Sequence, residues 1–398
     1  MFDQLTPAPP DAIMGLTDAF KKDPHPKKIN LTIGVYKDSE GKTPVLSSVK
    51  KAEALLLRDE TTKSYLPIEG AADYGARVQE LVFGAGHEIA KSGRAVTADT
   101  PGGTGALRVA ADLLHQLRPG TTVWLSEPTW PNHPGIFEAA GLKVRMYPYY
   151  EARTHSIDFA ALTKALESAT EGDVVVLHAC CHNPTGIDPT VEQWKTLAEI
   201  VRRKKLLPFF DFAYQGLGDG LEEDARGLRM FAENPGEMLV SSSFSKNFGL
   251  YNERTGALTL VTRSVEAAQT SLTHLRRAIR VNYSNPPAHG AAIVTTVLAD
   301  PTLRAEWDAE LKGMCRRIHE MRQVFVKTLK AKGVKRDFSF LIQQRGMFSY
   351  SGLTKPQVDE LRDKHGVYIV GSGRINVAGL TMGNMDPLCE AIAAVVRD

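Results

Sequence analysis

Met238-Leu239-Val240-Ser241-Ser242-Ser243-Phe244-Ser245-Lys246-Asn247-Phe248-Gly249-Leu250-Tyr251-Asn252-Glu253-Arg254 is the stretch around which the chain is read. Its apolar opening, Met238-Leu239-Val240, predicts a buried strand. Four serines and a lysine follow, and an arginine stands eight residues beyond the lysine. A lysine just past a strand end is placed to act as a reactive amine. Neighbouring cationic charge lowers its pKa and leaves part of it neutral and nucleophilic. Hydroxyls and an arginine beside it suit a phosphate. An amine that can form a Schiff base next to a phosphate cradle is what pyridoxal phosphate requires. Two readings compete at this point. One is a lysine on a polar loop. The other is Ser243-x-x-Lys246, the nucleophile motif of serine β-lactamases and penicillin-binding proteins.

Working outward, the same alternation recurs. Asp173–Ala179 is a continuous apolar run, typical of a central parallel strand, and ends in Cys181-His182-Asn183-Pro184-Thr185-Gly186. A helix over Glu192–Lys204 leads to a second buried strand, Leu206–Phe210, closing on Asp211, with Phe212-Ala213-Tyr214-Gln215-Gly216 after it. Thr255–Thr262 reads as another strand. Upstream, Thr122–Leu125 is a strand that ends in Glu127-Pro128-Thr129-Trp130-Pro131-Asn132-His133. Trp130 there suits either stacking on a flat ligand or core packing, and His133 reads first as a hydrogen-bonded core partner. Lys143–Pro148 is a strand and Asp158–Ser168 a helix. Thr100-Pro101-Gly102-Gly103-Thr104-Gly105 opens a helix directly, so free N–H groups and the helix dipole offer a phosphate seat. No Gly-Lys-Ser/Thr follows, and Gly-x-Gly-x-x-Gly is absent, so neither a Walker A motif nor a dinucleotide fingerprint is present.

Helices alternating with buried strands imply an α/β domain, a mostly parallel sheet covered by helices on both faces. Right-handed crossovers bring the strands' C-terminal ends to one edge, where such sheets bind ligands. Asn183, Asp211, Lys246, Trp130 and the Gly103 turn all fall on that edge.

The remaining segments read as follows. Residues 1–28 are rich in Pro and Lys, with a helical piece near Ile13–Phe20. Ile29–Tyr36 alternates as a strand broken by Gly34, which a ligand or plain packing could require. Val49–Arg58 is helical, and Ser64–Gly70 is a turn carrying Tyr65. Ser271–Arg280 is a basic helix with Arg276, Arg277 and Arg280. A long helix after Pro301 carries an apolar stripe at steps of three and four: Leu303, Trp307, Leu311, Met314, Ile318, Met321, Phe325 and Leu329. The tail has expected strands at Phe340–Gln343 and Tyr368–Val370 and a turn into Gly373-Arg374-Ile375-Asn376. The expected organisation is an N-terminal arm and part of a small domain over 1–43, a large domain over 44–313, and the rest of a small α+β domain, built from both chain ends, over 314–398.

Composition bounds the function. The 398 residues are 43% hydrophobic and 24% charged, with a net charge of +2, so nothing draws the chain to nucleic acid or an acidic membrane surface. The four cysteines show no C-x-x-C spacing, which argues against a zinc site and fits a reducing cytoplasm. The start of the sequence lacks the character of a signal peptide. No apolar run nears the roughly 18 residues of a membrane span. With no Ser-Asp-Asn and no Lys-Thr-Gly anywhere, the β-lactamase reading loses its supporting motifs.

A carboxylate at a buried strand end is costly unless matched, and a pyridinium nitrogen would match Asp211. Asn183 and Tyr214 are placed for a ring hydroxyl. Gly103, Thr104, Ser243 and Arg254 would hold the phosphate. Lys246 would carry the Schiff base and then move the proton at the substrate Cα. Arg374 could take a substrate carboxylate in a two-pronged grip.

Taken together, the motifs resemble class I, fold-type I aminotransferases of the aspartate and aromatic amino-acid group, bacterial aspartate-type members above all. The resemblance rests on Lys28-Ile29-Asn30-Leu31 with Gly34-Val35-Tyr36, Gly102–Leu107, Trp130–His133, His182–Gly186, Asp211–Gly216, Ser243–Asn247, Asn282–Pro287 and Gly373–Asn376, in order along nearly the whole chain. It implies a cytoplasmic homodimer with shared active sites. By the same resemblance, Tyr65 reaches the phosphate of the neighbouring chain's cofactor, and Arg280 enters the neighbouring site to bind a side-chain carboxylate. Trp130 stacks on the cofactor ring and, with Asn183, borders the substrate. Arg374 takes the α-carboxylate and Gly34 lies against the substrate. The implied reaction passes the amino group of L-aspartate to 2-oxoglutarate, ping-pong through a pyridoxamine phosphate form, without metal. Val35, Lys37 and Thr43 resemble the aspartate-preferring type. Ser64–Gly70 resembles the aromatic type, so tyrosine or phenylalanine transamination is the alternative. A scaffold binding the cofactor or a nucleotide without catalysis is the non-enzymatic one, against which Asp211, Lys246 and Arg374 together speak.

Overall fold

A computed structural model describes residues 2–8, 13–233 and 236–396. The strands in chain order are β1 (Ile29–Asn30), β2 (Ala95–Pro101), β3 (Thr122–Glu127), β4 (Lys143–Pro148), β5 (Tyr150–Glu151), β6 (Ser156–Ile157), β7 (Val174–His178), β8 (Leu207–Phe212), β9 (Met238–Ser243), β10 (Thr255–Val261), β11 (Phe348–Tyr350), β12 (Val367–Tyr368) and β13 (Arg374–Asn376). The chain divides into two compact units, one of residues 44–316 and the other of residues 1–43 with 317–398.

The larger unit is built on a seven-stranded sheet of order β2-β10-β9-β8-β7-β3-β4. Every neighbouring pair is parallel except the two that flank β10. The apolar runs explain the order. β7, β9 and β10 are buried along their whole length, as strands covered on both faces must be. β4, with exposed Lys143, Arg145 and Pro148, lies at the edge, where open ladder groups are tolerated. Helix ends follow their sequence signals: Asp158 caps Phe159–Glu167, and Thr190 with Gln193 forms a capping box on Val191–Arg203. The core under the sheet packs Leu107, Val109, Ala110, Leu113 and Leu114 of the Gly102–Leu117 helix on Val123, Leu125, Val174 and Phe209.

The 31-residue Pro301–Ala331 helix carries its stripe as expected, with all eight positions from Leu303 to Leu329 buried. Within the larger unit Trp307 is fully buried, stacks on Phe248 at 4.4 Å and donates its indole N–H to the Asn247 carbonyl at 2.9 Å. That anchors the residue next to Lys246.

The smaller unit departs from the sequence expectation at three places. The strand predicted over Ile29–Tyr36 is confined to Ile29–Asn30, paired parallel with β12. Beyond it the Asn376 amide donates to the Ile33 and Val35 carbonyls at 2.7 and 2.9 Å, so side-chain bonds replace the ladder. Ser339–Gln343 is a 3-10 turn, not a strand, because the Asp337 carboxylate takes the Ser339 N–H and hydroxyl, both at 2.8 Å. The strand that pairs with β13 is instead Phe348–Tyr350, antiparallel. The third strand ends at Tyr368, and the Gly373 N–H to Val370 carbonyl bond closes the turn that follows.

Candidate active site

Parallel strands β2, β3, β7, β8 and β9 put their C-terminal ends on one edge of the sheet, and the chemistry collects there. β2 passes directly into the Gly102–Leu117 helix, whose first turn has no side-chain cap. Its leading amides are thus left for an anion. Two glycines make room. Gly102 has φ +70°, and a Cβ on it would stand 2.5 Å from the Arg254 guanidinium; one on Gly103 would meet Ser243 Cβ at 3.1 Å. Arg254 adopts φ +55°, uncommon for a side chain of its size, and its Nη1 donates to Ser245 Oγ at 3.2 Å and to the Tyr251 carbonyl at 3.1 Å. Thr104, Ser243 and Arg254 thus gather at one helix start, with Ser241 Oγ donating to the Gly103 carbonyl at 3.1 Å.

Asp211 lies inside the end of β8, because the strand runs on through Phe212. It is register-paired with His178 and Ser241. Burial pushes its carboxyl up, but His133, above all through its hydrogen bond, then His178 and last Lys246 outweigh that, and it stays below the usual carboxylate range. With the carboxylate ionised, His133 Nε2 donates to Asp211 Oδ2 at 3.0 Å, while His133 Nδ1 meets Thr129 Oγ1 at 2.7 Å. Trp130, half-buried, stands edge-on to His133 at 5.3 Å. His178 is held neutral by burial and by neighbouring His133, its pKa pushed down to about 3.

Lys246 follows β9 by three residues, and its Nζ lies 4.8 Å from the centre of the Tyr214 ring. Burial first, then the Arg254 charge, lower its pKa to about 8, against the opposing pull of Asp211. The buried Asn183 amide donates to the Tyr214 hydroxyl at 3.4 Å.

Gly103, Thr104, Ser243 and Arg254 therefore form one group, Asn183, Tyr214 and Lys246 a second, and Asp211 with His133 and Trp130 a third. Tyr65 is 92% exposed, and the exposed Arg280 guanidinium donates to the Ser284 hydroxyl. Neither Tyr65 nor Arg280 has a hydrogen bond to these three groups among the described residues. Arg276 of the basic helix is ion-paired with Glu69. In the smaller unit, Arg374 is buried on β13, donates to the Thr32 carbonyl at 2.6 Å and lies 4.1 Å from the centre of the Phe348 ring. That ring also fills the place where a Gly34 Cβ would stand, at 2.5 Å, so packing alone accounts for this glycine.

Sequence reasoning passed over Ser245 and His178 and gave His133 only a core role. Ser245 sits inside the opening stretch and is the serine that touches Arg254. His178 ends β7 in register with Asp211 of β8, a pairing that appears only once the strand order is known.

A lysine amine left partly neutral beside a carboxylate and a guanidinium, at the C-terminal edge of a mostly parallel sheet, has the chemistry that a carbonyl group requires. Residues 26–392 match the model of the family Aminotransferase class I and II, and the chain belongs to that family. It is 60% identical over 396 residues to an aspartate aminotransferase of Salmonella typhi, covering all of both chains. It is 48% identical to an aromatic-amino-acid aminotransferase of Pseudomonas aeruginosa, covering all of this chain and 99% of that one. Among solved structures, an aromatic-amino-acid aminotransferase from Burkholderia pseudomallei, covalently bound to pyridoxal phosphate, superimposes with a TM-score of 0.97 at 49% identity over all of both chains. The fold is thus the fold-type I α/β architecture of these enzymes.

Proposed function

We propose that this chain passes the amino group of L-aspartate to 2-oxoglutarate, giving oxaloacetate and L-glutamate, with pyridoxal 5'-phosphate attached at Lys246. One observation carries the reading: the Lys246 amine stands three residues past β9 and 4.8 Å from the centre of the Tyr214 ring, with the Asp211 carboxylate and the Arg254 guanidinium close enough to act on its charge. The donor set fits the cofactor, because any side chain on Gly102 or Gly103 would close the helix start that Arg254 and Ser243 line. Bound there, the group supplies an electron sink for negative charge at the substrate Cα.

The chain's own residues do the rest. Gly103, Thr104, Ser243 and Arg254 hold the phosphate by amide, hydroxyl and guanidinium donors. Asp211, oriented by His133, keeps the ring nitrogen protonated. Asn183 and Tyr214 bind the ring hydroxyl, and Trp130 covers the ring face. Arg374 grips the α-carboxylate, and Gly34, which the Phe348 ring already requires to be a glycine, lies against the substrate. Lys246 would move the proton at the substrate Cα; in the chain without cofactor its amine has a pKa of about 8, in the range that suits a group which must both take and give a proton.

The proposal includes a cytoplasmic homodimer, in which Tyr65 of one copy reaches the phosphate and Arg280 of that copy the distal carboxylate in the other's site. Tyr65, Leu57 and Val281 are 92%, 87% and 80% exposed, apolar surface that a second copy would remove from water. A second reading, transamination of tyrosine and phenylalanine, is favoured by the Ser64–Gly70 turn, where Pro67 and Ile68 stand beside Tyr65.

Lys246→Ala tests the central assignment. Turnover should fall by about a thousandfold or more, and borohydride should no longer fix the cofactor to the chain. Turnover near the native value sinks the assignment.

A further inference from the structure

Arg322 is 1% exposed, a charge deep inside the smaller unit. Burying a guanidinium is costly unless acceptors surround it. Here they do, and they come from one stretch of chain. Nη2 donates to the Gly346 carbonyl at 2.6 Å and the Phe348 carbonyl at 2.8 Å; Nη1 donates to the Leu341 carbonyl at 3.3 Å and to the Ser349 hydroxyl. Ser349 is itself fully buried. The planar fork thus gathers the 341–349 turn and fixes the start of β11 in two places.

β11 is the strand on which Arg374 depends. Its register with β13 sets Phe348 opposite Asn376 and Tyr350 opposite Arg374. The Phe348 ring lies 4.1 Å from the Arg374 guanidinium carbon, a cation–π contact in a desolvated place. On its other flank the ring is pressed against Gly34, where even a Cβ would come within 2.5 Å. The ring therefore has little room to shift, provided its backbone stays put. Arg374 is restrained by that ring and by the Thr32 carbonyl at 2.6 Å.

We propose that Arg322 is a positioning residue for substrate carboxylate binding: it fixes the Phe348 backbone, and through the ring it sets the orientation of the Arg374 guanidinium. The inference rests on the reading of Arg374 as the α-carboxylate grip. A group that acts through Arg374 changes affinity for carboxylates and leaves the chemistry at Lys246 alone.

The test uses the cofactor-loaded enzyme and succinate, a dicarboxylate without an amine, as the binding probe. Arg322→Met should raise the succinate inhibition constant and the L-aspartate KM about tenfold or more, with kcat within about threefold of native. The absorbance titration of the bound cofactor should not move. Ser349→Ala, which removes one acceptor only, should raise both constants about two- to fivefold, and it decides the matter if Arg322→Met does not fold. Arg374→Ala is run in parallel. If it leaves succinate binding unchanged, the carboxylate reading of Arg374 fails and the inference with it. If Arg374→Ala weakens succinate while neither Arg322→Met nor Ser349→Ala does, the positioning role alone is overturned. A fall in kcat with constant KM, or a loss from Arg322→Met that adds in full to that of Arg374→Ala, likewise overturns it.

Discussion

Burial and the Arg254 guanidinium work against the charge of Lys246, and Asp211 works for it. The balance leaves the amine titrating near pH 8 rather than at 10.5. In the cofactor-free chain, acylation at Lys246 should climb with pH, reach half its maximum near 8 and level off by about 9–9.5; a half-maximum near 10.5, as for an ordinary lysine, contradicts the balance. The same shift has a sign for stability. The folded pKa is the lower one, so the unfolded chain binds more protons between about 8 and 10.5; this group's contribution to stability rises with pH across that window and is lost as pH falls through 8. Of this neighbourhood the sequence shows the lysine, the arginine and the aspartate. It does not show which hydroxyl meets Arg254, since Ser243 and Ser245 are equivalent on paper. Nor does it show that His133, in the first turn of the Asn132–Ala139 helix and 78 positions from Asp211, meets its carboxylate. Such pairings depend on strand order and register, which leave no local mark.

Elements read well where burial alone dictates them. The central strands announce themselves as unbroken apolar runs, and the Pro301–Ala331 helix by its stripe. The short pieces of the smaller unit do not. Ile33, Val35 and Phe340 look like strand residues, but Asn376 and Asp337 take the backbone groups that a ladder would use. Side chains that compete with regular structure in this way are hard to weigh from propensity. The long helix also gives a test at its own scale. Trp307 is wholly buried, stacks on Phe248 and bonds the Asn247 carbonyl beside Lys246. Trp307→Ala should destabilise the chain by about 3–5 kcal/mol in chemical denaturation, with a lower midpoint and a similar slope. A loss under about 1 kcal/mol would mean that the stripe is not a core element.

At the scale of the whole molecule, the residues proposed for one catalytic site are drawn from separated stretches of sequence, and two of them, Tyr65 and Arg280, are assigned to the other copy. No stretch of sequence states such sharing; it enters through resemblance, and exposure of both side chains agrees with it. Subunit hybrids test it. Chains carrying Lys246→Ala and chains carrying Arg280→Asp should each be poor on L-aspartate. Unfolded together and refolded, they should recover about a quarter of native activity, since each hybrid dimer regains one site with an intact lysine and an intact arginine. If Arg280 acts within its own chain, each site of a hybrid still lacks either the lysine or the arginine, and mixing should restore nothing.

The most direct measurement is a single turnover without acceptor. Cofactor-loaded protein is mixed with excess L-aspartate, and oxaloacetate is counted alongside the absorbance of the bound cofactor; L-tyrosine is run in parallel. The account predicts about one oxaloacetate per chain, complete conversion of the absorbance, and a ratio of rate to affinity well above that for L-tyrosine. No oxaloacetate and an unchanged spectrum would contradict amino transfer through Lys246. A ratio equal to or below that for L-tyrosine would keep the transfer and contradict aspartate as the preferred donor.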